Sequence, residues 1–329
     1  MRRRDVLRQG ALAAITLVLP WARALTAGSV EDELWADAAR GRTLPLRLRW
    51  PQGEQPCAAV LFSHGLGGSK EGGALWGEAW AAAGFLVLHL QHPGSDAAIW
   101  QGGMSAVRQG SQIEQYLARV RDVRFVLDEM GRRQAVGGRW GRVRLDAIGI
   151  SGHSFGARTV QALAGEVPLA AGDEALAALR DPRPRAFIAF SPGFSARGGV
   201  RPEEAARRFG AIARPFLCIT GTRDGAVLAG DASNETRLAV YEGLPPGQKA
   251  QLVLDGADHY TFAGQVLRLR PDGLLQRAPG ALAREASHHA LVAQISADWW
   301  RWRLLDDAQA RERLREPTGL APGDRWAQG

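Results

Sequence analysis

The stretch Asp146-Ala147-Ile148-Gly149-Ile150-Ser151-Gly152-His153-Ser154-Phe155-Gly156-Ala157 decides how the rest of the chain reads. It contains G-x-S-x-G, directly after an apolar run of strand character and directly before a segment of helical spacing. In that context the pattern predicts a sharp strand-to-helix turn that lifts the Ser154 hydroxyl clear of a sheet. The residues two before and two after such a serine crowd the backbone, and glycine at 152 and 156 relieves the clash. A helix N-terminus behind the serine favours the negative charge that develops there during catalysis. A glycine-rich turn with an incidental serine is the competing interpretation; the match on both flanks argues against it.

Working outward, short apolar runs alternate with helical stretches, which predicts an α/β chain with a mainly parallel central sheet covered by helices. Strands are expected over 44–50, 58–63, 85–91, 144–151, 186–191, 215–220 and 251–254, and runs apolar on both faces suit central parallel strands. Helices are expected over 72–83, 112–130, 157–163 and 202–212, with a long last one from 286 to about 314. Trp299, Trp300 and Trp302 on that helix read as residues packed on the sheet. No repeat or low-complexity tract is visible, so residues 25–316 read as one domain. The proline- and glycine-containing residues 317–329 read as a disordered tail.

A serine hydroxyl is a weak nucleophile until a base takes its proton, and the oxyanion it creates needs donors. Donors are expected from the backbone N–H of Phe155 and from the glycine-rich turn Ser63-His64-Gly65-Leu66-Gly67-Gly68-Ser69, at Leu66. A phosphate-cradling role for that turn lacks support. Neither G-x-x-x-x-G-K-[ST] nor G-x-G-x-x-G is present, since position 70 is Lys70. Of seven histidines His259 is the one in the loop directly after the final strand, and it is the candidate base. His153 is expected to point away from Ser154, and His288 and His289 to lie on the surface. His89, His92 and Asp96 form a weak candidate metal set without firm ligand spacing, and no metal or other cofactor is expected. The acid is expected at Asp224, in the turn after strand 215–220, which gives the order Ser…Asp…His. Asp258 is the rival, although a residue adjacent to the base usually cannot turn back onto its ring.

The chain has 329 residues, 46% hydrophobic and 23% charged, an ordinary globular composition with a formal charge of +7. Only two basic residues are lysines, Lys70 and Lys249. The arginines are scattered among acids rather than clustered with aromatics, so no nucleic-acid partner is expected. Residues 1–24 carry Arg2, Arg3, Arg4, Arg8 and Arg23 against Asp5. A basic start, a modest apolar middle and Ala22-Arg23-Ala24 have signal-peptide anatomy. Arg3-Arg4-Asp5-Val6-Leu7-Arg8 resembles the twin-arginine export motif, which predicts a periplasmic or secreted protein. No apolar run reaches the roughly 18–20 residues that span a bilayer. Cys57 and Cys218 sit in non-neighbouring strands, beyond disulfide reach, and read as buried apolar residues.

With these residues in place, the sequence resembles the α/β-hydrolase superfamily, and within it the branch similar to dienelactone hydrolases and platelet-activating factor acetylhydrolases. The resemblance covers about residue 32 to residue 305. It rests on Trp35–Arg42, Ser63–Ser69, Gln91-His92-Pro93-Gly94-Ser95-Asp96, Gly152-His153-Ser154-Phe155-Gly156 and His259-Tyr260-Thr261-Phe262. It implies Ser154 as nucleophile, His259 as base, and Leu66 and Phe155 as oxyanion donors. One departure stands out. The plasma-type acetylhydrolases take their acid just after the strand following the nucleophile, where this chain reads Phe190-Ser191-Pro192-Gly193 without a carboxylate. That is consistent with Asp224 as the acid and argues against platelet-activating factor as substrate. The expectation is an exported serine hydrolase that cleaves short-chain carboxylic esters through an acyl-enzyme. The alternatives are a phospholipase A2 or acetylhydrolase-type lipid esterase, and a non-catalytic binding protein on a hydrolase scaffold.

Overall fold

The computed structural model describes residues 28–167, 179–196, 199–226, 232–265 and 276–329. The apolar runs become strands: β1 (Val30–Asp37), β2 (Arg42–Arg49), β3 (Cys57–Ser63), β4 (Leu86–Leu90), β5 (Val143–His153), β6 (Ala186–Phe190), β7 (Phe216–Arg223), β8 (Lys249–Asp258) and β9 (Arg325–Gln328). Among the described residues there are eight α-helices. They are α1 (Ala74–Ala82), α2 (Gly103–Gly110), α3 (Ile113–Val136), α4 (Phe155–Ala164), α5 (Pro202–Phe209), α6 (Asn234–Gly243), α7 (Glu285–Leu305) and α8 (Ala308–Arg315).

One nine-stranded sheet runs in the order β1-β2-β4-β3-β5-β6-β7-β8-β9. The run from β4 to β8 is parallel throughout, with antiparallel pairs at β1–β2, β2–β4 and β8–β9. From β3 the chain crosses to β4 on one side and then to β5 on the other. The loops leaving β3 and β5 therefore lie side by side at the carboxyl edge, where α/β sheets bind ligands. Alternate residues of β3 enter different parts of the core. Cys57, Ala59 and Leu61 pack with residues of α3 and α4, while Ala58, Val60 and Phe62 pack with Trp76, Trp80, Trp299 and Trp300. The Trp300 ring occupies the space over Gly149 of β5, where a Cβ would come within 2.6 Å. Trp302 is only partly buried.

Besides α2 and α6, which apolar spacing did not predict, four features depart from the sequence-based expectation. The acid-rich segment before residue 44 forms β1, and its Asp32 lies opposite Arg47 of β2 and accepts from its Nε at 2.8 Å. The expected helix from 286 to about 314 breaks after Leu305, where Asp306 turns left-handed (φ 57°) and Asp307 caps the backbone of α8. His288 is buried rather than on the surface. Residues 317–329, expected to be disordered, instead return to the sheet as β9 beside β8. Trp326 Nε1 and Gln328 Nε2 both donate to the Leu314 carbonyl, and the Asp324 carboxylate accepts from the Asp255 N–H at 2.8 Å and pairs with Arg284. Order there comes from tethers at both ends of the segment, which composition does not encode.

Cys57 and Cys218 are free and buried in β3 and β7. Residues 1–24, with their expected export signal, lie outside the described residues. Among the described residues no helix is long and apolar enough to cross a membrane.

Candidate active site

Ser154 follows β5 as the residue before α4, in a left-handed conformation at φ 56° and ψ −114°. A non-glycine residue held there costs on the order of 1–3 kcal/mol. The surroundings hold it in place. Its N–H donates to the Phe190 carbonyl at 2.9 Å, and its own carbonyl accepts from the Arg158 N–H at 3.1 Å. The flanking glycines answer to packing: a Cβ at Gly156 would lie 1.9 Å from the Ser63 oxygen, and one at Gly152 would lie 2.6 Å from the Gly156 backbone.

His259 and Asp224 come from the carboxyl ends of the neighbouring strands β8 and β7. His259 Nδ1 donates to Asp224 Oδ1 at 2.8 Å, which leaves Nε2 as the free acceptor. Ser154 and His259 line one cavity of about 610 Å³, with no direct hydrogen bond between them. Such bonds are often long before substrate binds. Asp224 is fully buried. Thr220 Oγ1 donates to its Oδ2 at 2.8 Å, and Arg237 of α6, itself buried, pairs with Oδ1 at 2.9 Å. Burial alone would raise the Asp224 carboxyl, but the Arg237 charge and His259 outweigh it and hold the group well below the ordinary carboxylate range. Asp224 therefore stays an anion.

Asp258, the rival acid, is engaged elsewhere. Its carboxylate pairs with Arg277 at 2.8 Å and accepts from the backbone N–H of Thr261 and Ala278, capping the short helical turn His259–Ala263. His153, expected to point away from Ser154, lines the same cavity and makes no hydrogen bond to the Ser154 hydroxyl. Its Nε2 donates to the His259 carbonyl at 3.0 Å, and its ring lies 4.6 Å from the His259 ring.

Leu66 and Phe155 both line the cavity. Phe155 is the first residue of α4, so its N–H has no acceptor within the helix. No hydrogen bond among the described residues occupies the Leu66 N–H. The loop after β3 lies against Ser154: a Cβ at Gly65 would sit 3.5 Å from Ser154 Cβ. The segment 94–110 supplies another wall through Trp100, Met104 and Val107, and Trp100 Nε1 donates to the Gly67 carbonyl at 2.8 Å. Tyr260 also lines the cavity, whereas Phe194 packs in the core against Phe209.

The residues of the weak metal set have separate partners. His89 Nδ1 donates to the Gly72 carbonyl, His92 Nδ1 to Asp122, and Asp96 accepts from Gln91. His92 belongs to a second Ser–His–Asp arrangement that the sequence did not reveal: Ser63 Oγ donates to His92 Nε2 at 2.9 Å, and His92 Nδ1 donates to Asp122 at 2.9 Å. All three are buried and none lines the cavity, so no substrate reaches them. Arg40 and Arg42 also pair with Asp122, making this a structural network.

Burial pushes six histidines down: His92 to about 4, His89 to about 3, His64 and His153 well below their ordinary value, and His288 and His289 in the same direction. Each is neutral when folded yet takes a proton once unfolded, so the stabilisation is complete above the unfolded value of ~6.5 and drains as pH falls toward the folded values. Each such histidine lowers stability by up to about 1.4 kcal/mol per pH unit in that window. Melting temperature is expected to be level near pH 7 and to fall steeply by about pH 5; a melting temperature unchanged across that range would contradict the neutral, buried assignment. No protein-family model matches the chain and no curated protein is similar to it in sequence, so the chemistry of this site stands on its geometry.

Proposed function

We propose that the chain is a serine hydrolase of the α/β-hydrolase type that cleaves carboxylic esters. The observation that carries this reading is the His259–Asp224 hydrogen bond beside Ser154, which stands on a left-handed turn in the same cavity. His259 Nε2 takes the Ser154 proton as Oγ attacks the ester carbonyl. The Leu66 and Phe155 N–H groups receive the oxyanion. The alcohol leaves with the proton from His259, and water activated by the same nitrogen releases the acyl group. The reaction needs no cofactor. The twin-arginine-type start supports a periplasmic or secreted location.

We propose short-chain acyl esters as the substrates. Each methylene that leaves water contributes ~0.8 kcal/mol, about fourfold in kcat/KM, and the gain ends where the chain re-enters solvent. Hydrolysis of a panel of acyl esters tests both the activity and its range. Acetyl to butyryl esters are expected to be preferred, with no interfacial activation. A kcat/KM that keeps rising beyond about eight carbons would favour a lipid esterase, a reading to which the half-exposed Met104 on the cavity wall lends some support. No hydrolysis of any ester would overturn the proposal.

A further inference from the structure

Arg119, on α3, is fully buried and has no ion-pair partner within direct contact among the described residues, yet it is surrounded by the loop after β3. Its Nη1 donates to the His64 carbonyl at 2.6 Å and its Nη2 to the Gly65 carbonyl at 3.2 Å. Nη2 also reaches the Ser95 carbonyl at 3.2 Å, and Nε donates to Ser95 Oγ at 2.8 Å. The guanidinium lies 4.5 Å from the centroid of the Phe155 ring. Arg119 thus touches both segments that carry the candidate oxyanion donors.

His64 completes the hold. The His92 N–H donates to His64 Nε2 at 3.1 Å, so the ring proton sits on Nδ1, which donates to the Gly65 carbonyl at 2.6 Å. With the Gly68 N–H, which donates to the same oxygen at 3.1 Å, three donors therefore converge on the carbonyl of the Gly65–Leu66 peptide. In a trans peptide the N–H points opposite to the C=O. Fixing the Gly65 oxygen toward Arg119 and His64 therefore aims the Leu66 N–H the other way, and the described hydrogen bonds leave that N–H unoccupied.

We propose that Arg119 is a positioning residue for the oxyanion hole, holding the Gly65–Leu66 peptide in the orientation that presents the Leu66 N–H to the reacting carbonyl oxygen. This rests on the ester-hydrolase reading above. Burying a guanidinium costs several kcal/mol unless hydrogen bonds compensate, and here they are divided between the His64 and Gly65 carbonyls and Ser95. Burial lowers Arg119 to about 9, with Asp122 and Asp96 opposing, so it stays charged at neutral pH.

Arg119→Lys keeps the charge but lacks the planar fork that spans both carbonyls. Loss of a whole oxyanion donor costs about 10²–10³ in kcat, so a misdirected one is expected to cost roughly 10- to 100-fold. KM should change by less than about threefold, because the donor acts on the transition state. The acid limb of the pH–rate profile should not move, because Asp224 and His259 are untouched. Binding of a boronate analogue of the tetrahedral state should weaken in parallel with kcat. A folded Arg119→Lys variant whose kcat stays within about threefold of the parent overturns the proposal, as does a loss confined to KM. Because the variant can fail to fold, the unaltered protein is also to be crystallised after reaction with a phosphonate ester. A phosphonyl oxygen bonded to the Leu66 and Phe155 N–H groups, with the Gly65 carbonyl on Arg119, supports the proposal. An oxygen that finds other donors refutes it. If the unaltered protein neither hydrolyses esters nor takes up the phosphonate, the hydrolase reading fails and this inference falls with it.

Discussion

Ser154→Ala is expected to lower kcat for ester hydrolysis by roughly 10⁴-fold or more and to abolish covalent labelling by a fluorophosphonate, with the fold unchanged. The loss should be large because Ser154 stands directly before α4, a position that Ser191, which also lines the cavity at positive φ, does not share. The serine of the second Ser–His–Asp set, Ser63, is buried beneath the loop and does not line the cavity. Stability should hardly change. Ser154 Oγ makes no hydrogen bond among the described residues, and alanine faces the same left-handed backbone that serine already tolerates. A shift in unfolding free energy within about 0.5 kcal/mol is therefore expected. A folded Ser154→Ala variant that still hydrolyses esters, or that is still phosphonylated, would place the nucleophile elsewhere. An unaltered protein that resists the probe would instead favour the binding-protein reading.

The parts of the site legible in the sequence are those whose chemistry demands a residue type at a strand end. The glycines at 152 and 156 leave room for crossing backbone, Asp224 follows β7 and His259 follows β8, so alternation of strands and helices was enough to order them. Supporting residues were harder to see because their work is three-dimensional. Arg237 sits on a short helix that the apolar spacing did not reveal, and nothing local marks it as the partner of Asp224. Arg119 left a trace. Tyr116, Val120, Val123, Leu127 and Met130 form the buried stripe of α3, and Arg119 falls on it with Asp122 one turn further on. Charges on a core-facing stripe are costly enough to need a reason. The sheet edges hid for another reason. β1 is rich in acids, with Leu34 mostly exposed, and β9 holds four residues tethered by contacts to Leu314 and Lys249. Their strand character comes from partners distant in sequence.

The largest effect after loss of the nucleophile is expected at the acid, where two aspartates close in space separate cleanly by what they touch. Asp224→Asn should lower kcat by on the order of 10³- to 10⁴-fold while KM changes little. An amide in that position no longer stabilises the imidazolium, and it can present an N–H to Nδ1, which moves the ring proton to the nitrogen that should accept from Ser154. The same change leaves Arg237 buried without its anion, and breaking a buried pair costs about 3–5 kcal/mol. The kinetics must therefore be read below the lowered melting temperature. Asp258→Asn should behave in the opposite way. It weakens the pair with Arg277 and the cap over His259–Ala263, worth ~1 kcal/mol, but leaves the His259–Asp224 bond intact. Activity is expected to stay within roughly tenfold, with the cost appearing in stability. A crippled Asp258→Asn beside an active Asp224→Asn would reverse the assignment. It would mean that the turn carrying His259 rearranges when substrate binds and that Asp224 serves only to neutralise Arg237.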